Sequence, residues 1–127
     1  MDKKELAVRK HGCGYNCAQS VVCAFAEELG VDEQLLYKLS EGLGAGMGNG
    51  KNACGALSGA IMVAGMRNSD GDLANPGNTK RDTYKKVAEL KAAFEEKVGA
   101  INCFEIKGAA QTSCADCIRA GVEIAEK

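Results

Sequence analysis

The stretch Gly42-Leu43-Gly44-Ala45-Gly46-Met47-Gly48-Asn49-Gly50 places glycine at every second position. Glycine loses more conformational freedom on ordering than any other residue, so a regular helix or strand here is entropically costly. The segment is expected to be a loop whose backbone comes close to something else. It leads directly towards Cys54.

Around this loop the apolar residues recur with helical spacing, and no stretch shows the period-two alternation of a half-buried strand. Residues 2–11 read as a short polar helix. Asn16 is a good cap for a helix from Cys17 to Leu29, ended by Gly30. Val21, Val22, Phe25 and Leu29 carry its spacing, with Gln19 and Ser20 as polar interruptions. Asp32 caps a second amphipathic segment that stops near Gly42, with Leu35, Leu36 and Leu39 expected on one buried face. Helix character returns at Cys54 and runs to about Gly65. Gly55, Ala56, Ser58, Gly59 and Ala60 make that helix thin enough for another backbone to approach closely. The Gly55-x-x-x-Gly59 spacing predicts tight helix packing and would allow a homodimer.

Residues 67–78 form a polar loop, and Asn78 or Thr79 opens the longest helix, reaching Val98 with Val87, Leu90, Phe94 and Val98 along one face. A short irregular piece spans Asn102 to Gly108. Ser113 caps the last helix, Cys114 to about Glu126, with Ile118, Val122, Ile124 and Ala125 inward. The expected fold is all-α: one domain over residues 1–127, a bundle of about five or six helices with a Gly-rich loop.

Function classes narrow quickly. A net charge of −1 gives no basic footprint for nucleic acid, and three Phe, three Tyr and no Trp leave few stacking platforms. The charged start, Met1-Asp2-Lys3-Lys4-Glu5, lacks the apolar stretch of a signal peptide. The longest apolar run, Ala56 to Met66, holds Gly and Ser and is too short to span a bilayer. A cytoplasmic protein with no membrane and no nucleic-acid partner is expected.

Seven cysteines are the compositional outlier. An odd number cannot pair completely, and a reducing compartment disfavours a static disulfide framework. Four of them share a context. Cys17 follows Asn16, Cys54 follows Asn52 and Ala53, Cys103 follows Asn102, and Cys114 follows Ser113. Each lies at or just inside an expected helix start, where unpaired amide N–H groups carry partial positive charge and favour thiolate over thiol. Thiolate is both nucleophile and metal ligand, and the same amides can donate to cluster sulfurs.

Cys23, among Val22, Ala24 and Phe25, reads as a core residue. Cys13 lies in a glycine-flanked turn four residues before Cys17 and is a candidate resolving thiol. Cys114-Ala115-Asp116-Cys117 is a CxxC at a helix start, the geometry of dithiol exchange. It also supplies two ligands of a tetrahedral metal site. No second CxxC completes a zinc ribbon, so zinc is the lesser candidate.

Other signals are weaker. Gly50-Lys51 is followed by Asn52 and so fails the phosphate-loop pattern, and Gly48-x-Gly50-x-x-Ala53 lacks the strand context of a dinucleotide fingerprint. His11, the only histidine, ends a charged segment and reads as a surface residue. The carboxylates lie mostly on solvated faces, and a serine nucleophile elbow is absent.

The cysteine spacing resembles the redox-active protein family named for its C_GCAxxG_C_C pattern, a pattern also found in part of the split-Soret cytochromes. The residues that carry the resemblance are Asn16-Cys17-Ala18-Gln19-Ser20-Val21, then the Gly-rich loop into Cys54-Gly55-Ala56-Leu57-Ser58-Gly59. Asn102-Cys103 with Gly108 follows, and then Cys114 ahead of Val122-Glu123-Ile124. Ala53 stands before Cys54 where the family name has Gly, and no CxxCH haem attachment exists here. The resemblance implies an all-α fold and redox or iron–sulfur chemistry, carried over onto Cys17, Cys54, Cys103 and Cys114, with Cys117 and Cys13 as local additions.

Three functions are thus expected in turn. The first is an iron–sulfur electron-transfer protein serving a redox partner protein. The second is a thiol–disulfide oxidoreductase or redox sensor in which Cys114 attacks and Cys117 resolves, or Cys17 pairs with Cys13. The third is a non-enzymatic helical module whose cysteines pack or hold zinc.

Overall fold

The computed structural model describes residues 2–127. Among these residues eight α-helices and no strand are formed. They are α1 (Lys3–Gly12), α2 (Cys17–Cys23), α3 (Ala26–Leu29), α4 (Glu33–Ser40), α5 (Gly55–Asn68), α6 (Lys80–Val98), α7 (Cys103–Glu105) and α8 (Cys114–Glu126). The all-α class expected from the spacing holds, while the expected count of five or six helices is too low.

Two local departures account for the difference. The helix expected from Cys17 to Leu29 is two helices, because the chain tightens at Ala24 and Phe25. There the Phe25 N–H donates to the Val22 carbonyl three residues back, and Phe25 leaves helical geometry at φ −101°, ψ 4°. Its ring is fully buried, so core packing of one aromatic overrides continuation of the helix. The irregular piece after Asn102 contains a single turn, α7, running into a wide turn over Ile106–Ala110. Helix α5 also continues past Gly65 to Asn68. Arg67 in its last turn reaches the Glu28 carboxylate and the Ala125 carbonyl.

The thin helix organises the core. α5 lies between α2 and α8, with α1 against α8 and α6 along α5 and α8. A Cβ on Gly59 would stand 2.8 Å from the Ala18 carbonyl oxygen, and one on Gly121 would stand 2.7 Å from that of Ala56. The small-residue stripe of α5 is therefore covered by α2 of the same chain. Around it Phe25, Phe94, Leu57, Ile106, Ile118 and Ile124 are fully buried, each stabilising by roughly 1.5–3 kcal/mol relative to exposure.

One expectation about faces changes. Leu35 and Leu39 are 50% and 60% exposed, because α4 presents its Leu36 and Ser40 face to the core instead. Gln19 and Ser20, the polar interruptions of α2, are buried. Gln19 closes a capping box with Asn16 and donates to the Tyr37 carbonyl at 3.0 Å, so burial leaves it satisfied.

Adding one methyl group where α8 meets α5 tests this packing. Gly121→Ala should lower unfolding stability by about 1–3 kcal/mol, the usual range for overpacking a dense contact. The urea midpoint of the reduced protein reads this out, and an unchanged midpoint would show that the two backbones are not in contact.

Candidate functional site

Five cysteines line one small cavity. Cys17, Cys54, Cys103, Cys114 and Cys117 surround a space of about 60 Å³, closed by Ala45, Gly46, Gly55, Ile106 and Lys107. Each sulfur is placed by a local feature of the chain. Cys17 is the first residue of α2 behind the Asn16 capping box, and Cys54 is the cap residue of α5. Cys114 opens α8 behind Ser113, whose side chain accepts from the Asp116 N–H. Cys117 lies one turn further along α8.

Cys54 and Cys103 are tied together by backbone pairing. Ala53 and Asn102 form an isolated antiparallel bridge, in which Cys54 N–H donates to Ile101 at 2.9 Å and Cys103 N–H to Asn52 at 2.8 Å.

The Gly-rich loop closes one side. Ala45, Gly46, Met47 and Gly48 all have positive φ, at 53°, 60°, 62° and 85°, a left-handed turn that costs non-glycine residues roughly 1–2 kcal/mol each. At Gly46 the need for glycine is twofold, since a Cβ would also stand 2.7 Å from the Cys103 Cβ. The loop is held by the Asn52 N–H on the Gly46 carbonyl at 3.1 Å and by the Asn16 side chain on the Glu41 carbonyl at 2.9 Å. The expected close approach of this loop is thus to the cysteines themselves.

The electrostatics differ from the sequence argument, in which every helix-start cysteine is acidified. Cys54 is lowered, to about 7. Its largest cause is a proton donated by the Cys117 thiol, followed against it by burial and with it by the amides of Ala56 and Leu57. Cys117 is correspondingly pushed up, first by that hydrogen bond and then by burial. Cys17 is pushed up to about 12, by burial first and then by the neighbouring charges of Cys114 and Cys54. Cys103 is raised as well, chiefly by burial. Desolvation of a thiolate outweighs one turn of helix amides at Cys17 and Cys103.

Lys107 is the residue that sequence reasoning missed. Its ammonium donates to the Cys114 sulfur at 2.9 Å and to the Thr112 carbonyl at 3.4 Å. Burial works against its charge, but the hydrogen bond and the charges of Cys114, Cys117 and Cys17 raise its pKa overall. Nothing in the local sequence separates Lys107 from the other lysines; only the turn over Ile106–Ala110 aims it inward.

The remaining candidates lie elsewhere. Cys13 is exposed at the end of α1. Cys23 is buried with its sulfur 3.8 Å from the Glu33 carbonyl. His11 hydrogen-bonds the Tyr15 carbonyl at 2.9 Å. None of the three lines the cavity.

The sequence matches the family described as "Putative redox-active protein (C_GCAxxG_C_C)" over residues 15–127. The chain belongs to this family. Neither a curated protein nor a solved structure matches it. The family match begins at Tyr15, so it takes in all five cavity cysteines and Lys107 and leaves α1 outside. Among the described residues no helix is long and apolar enough to cross a membrane.

The acidity of Cys54 has a pH signature. A folded pKa below the ordinary thiol value of 9.0 means that the Cys54 contribution to stability is present above 9.0 and is lost as pH falls through about 7. In the reduced, metal-free protein, ultraviolet thiolate absorbance should show one thiol titrating near 7 and should lose that step in Cys54→Ser. A first step near 9.0, unaltered in the variant, would contradict the assignment.

Proposed function

We propose that the cavity is a redox centre holding an iron–sulfur cluster for electron transfer to a redox partner protein, with Cys17, Cys54, Cys103 and Cys114 as ligands. The observation that carries this reading is the convergence of cysteines from four separate segments on one enclosed space. Soft thiolates are the donors that suit iron–sulfur clusters. A volume of about 60 Å³ exceeds the roughly 10–15 Å³ that one water needs. The amides of Ala56 and Leu57 already donate to a sulfur at the wall.

The donor set, thiols alone, is of the kind that suits such a cluster. Among the described residues no three Cys, His, Asp or Glu groups are gathered to hold a metal ion. Ligation requires deprotonated thiols, and Cys54 is the one closest to that state at neutral pH.

When bound, a cluster supplies one-electron redox chemistry. The chain supplies the environment. Ile106 is buried in the wall and excludes water. Lys107 places a positive charge on the Cys114 sulfur. Cys117 adds a fifth thiol to the wall beside Cys54.

Thiol–disulfide exchange is the second reading, favoured by the acidic Cys54 beside a protonated Cys117. Closure of the cavity counts against it for large substrates, since Cys54 and Cys117 are only 6% and 1% exposed.

Anaerobic reconstitution with iron and sulfide should give a brown protein with stoichiometric iron, and Cys54→Ala should lose the visible absorption. A colourless, iron-free wild-type protein after the same treatment would overturn the cluster reading. Lys107→Met should move the midpoint potential of the centre downward, because the ammonium favours the more negative, reduced state. An unchanged or higher potential would show that Lys107 does not act on the centre.

A further inference from the structure

Cys54 and Cys117 line the cavity and are almost wholly covered, so a guest reaches them only if a wall moves. The helical walls are fixed. The starts of α2, α5 and α8 are set by Gly55, Gly59 and Gly121, where a Cβ would stand 2.9, 2.8 and 2.7 Å from a neighbouring backbone atom. The turn over Ile106–Ala110 is pinned as well. Ile106 is buried, the Thr112 hydroxyl donates to the Val98 carbonyl at 2.8 Å, and a Cβ on Gly99 would meet that of Ala110 at 2.8 Å.

The Gly-rich loop is different. Its ends are anchored, since a Cβ on Gly44 would stand 2.2 Å from the Asn16 Cγ and the Asn52 carbonyl accepts from the Cys103 N–H. Between these anchors the loop mainly holds itself. The Lys51 N–H donates to the Asn49 side chain at 2.9 Å and to the Gly46 carbonyl. Met47 is half exposed, and among the described residues nothing comes within 4 Å of a Cβ added to Gly50. Ala45 and Met47 are held in the left-handed region, which L side chains resist. The closed loop is therefore the strained form, and opening relieves it.

We propose that residues 45–51 form a lid, anchored at Gly44 and Asn52, that swings off the cavity to admit the guest the cysteines bind. This deepens the reading of the cavity as a redox centre, and rests on it, by naming the way in. Ala45 and Gly46 are the lid's share of the wall, and Gly46 bears on Cys103, whose Cβ would be 2.7 Å from a Cβ added there. Opening costs the hydrogen bond from the Asn52 N–H to the Gly46 carbonyl and releases the strain at Ala45 and Met47. Little apolar surface is uncovered, because the lid's one large apolar side chain, Met47, already faces outward. Small inorganic guests, iron ions and sulfide, thus enter while the helices stay packed. The closed lid then keeps bulky thiol reagents from the cavity.

Alkylation of Cys54 in the full chain tests the lid. The tryptic peptide 52–67 carries Cys54 as its only cysteine. Mass spectrometry of that peptide gives the rate of labelling by N-ethylmaleimide in the reduced, metal-free protein. The wild-type rate should stay flat with urea up to the unfolding transition, because a local opening exposes little surface. Met47→Gly removes a strained side chain and favours the closed lid, so labelling should slow. Gly46→Ala forces a methyl group onto Cys103, so labelling should speed up. Each change should be about tenfold, the scale set by one left-handed residue. If circular dichroism shows Gly46→Ala unfolded, Met47→Gly decides alone. Labelling that climbs steeply with urea from the outset would overturn the proposal. So would a Met47→Gly rate no lower than wild type, or a folded Gly46→Ala no faster than it. Anaerobic iron uptake separates the two claims. A protein that takes no iron but shows the expected order of labelling keeps the lid and loses the cluster. A brown protein whose labelling ignores both substitutions does the reverse.

Discussion

The close approach of α2 and α8 to the thin helix α5 is the contact on which the cysteine site depends. Gly55, Gly59 and Gly121 each stand where a methyl group would press on a neighbouring backbone or side chain. Their absence of side chains brings the starts of three helices to one place. Cys17, Cys54 and Cys114 occupy those starts, so helix packing and the site are one arrangement. The left-handed turn at Ala45–Gly48 and the bridge between Ala53 and Asn102 then add Cys103 and close the side.

Within that arrangement two forces compete at each sulfur. Helix amides and Lys107 favour thiolate, while burial and neighbouring sulfur charge favour thiol. Cys54 falls on the thiolate side, since it gains two amides together with the Cys117 proton. Cys17 and Cys103 fall on the other side because their surroundings desolvate them first. The result is a cavity with one acidic and several reluctant thiols. Such a centre needs a guest group, or oxidation, to draw the remaining protons away.

Much of this was legible before the fold was known. The caps Asn16, Asp32 and Ser113 mark helix starts by local chemistry alone, and the inward residues of α6 and α8 follow from spacing. The alternating glycines announced a loop in close approach, and the approach proved to be to the cysteines. What stayed hidden depends on contacts distant in sequence. The break at Phe25 follows from where its ring is buried, and the exposure of Leu35 and Leu39 follows from which face of α4 meets α2. Cys114 and Cys117 look like a self-contained pair in sequence, yet both line a cavity shared with Cys17, Cys54 and Cys103. Lys107 carries no local mark and is defined only by the turn that aims it at Cys114.

The central claim is that these five cysteines form one electron-accepting centre. A spectroelectrochemical titration of the anaerobically prepared protein tests it most directly. The account predicts a reversible redox transition that disappears in Cys54→Ala while the helical circular dichroism persists. A wild-type protein that takes up no electrons anywhere in the range accessible in water would contradict it.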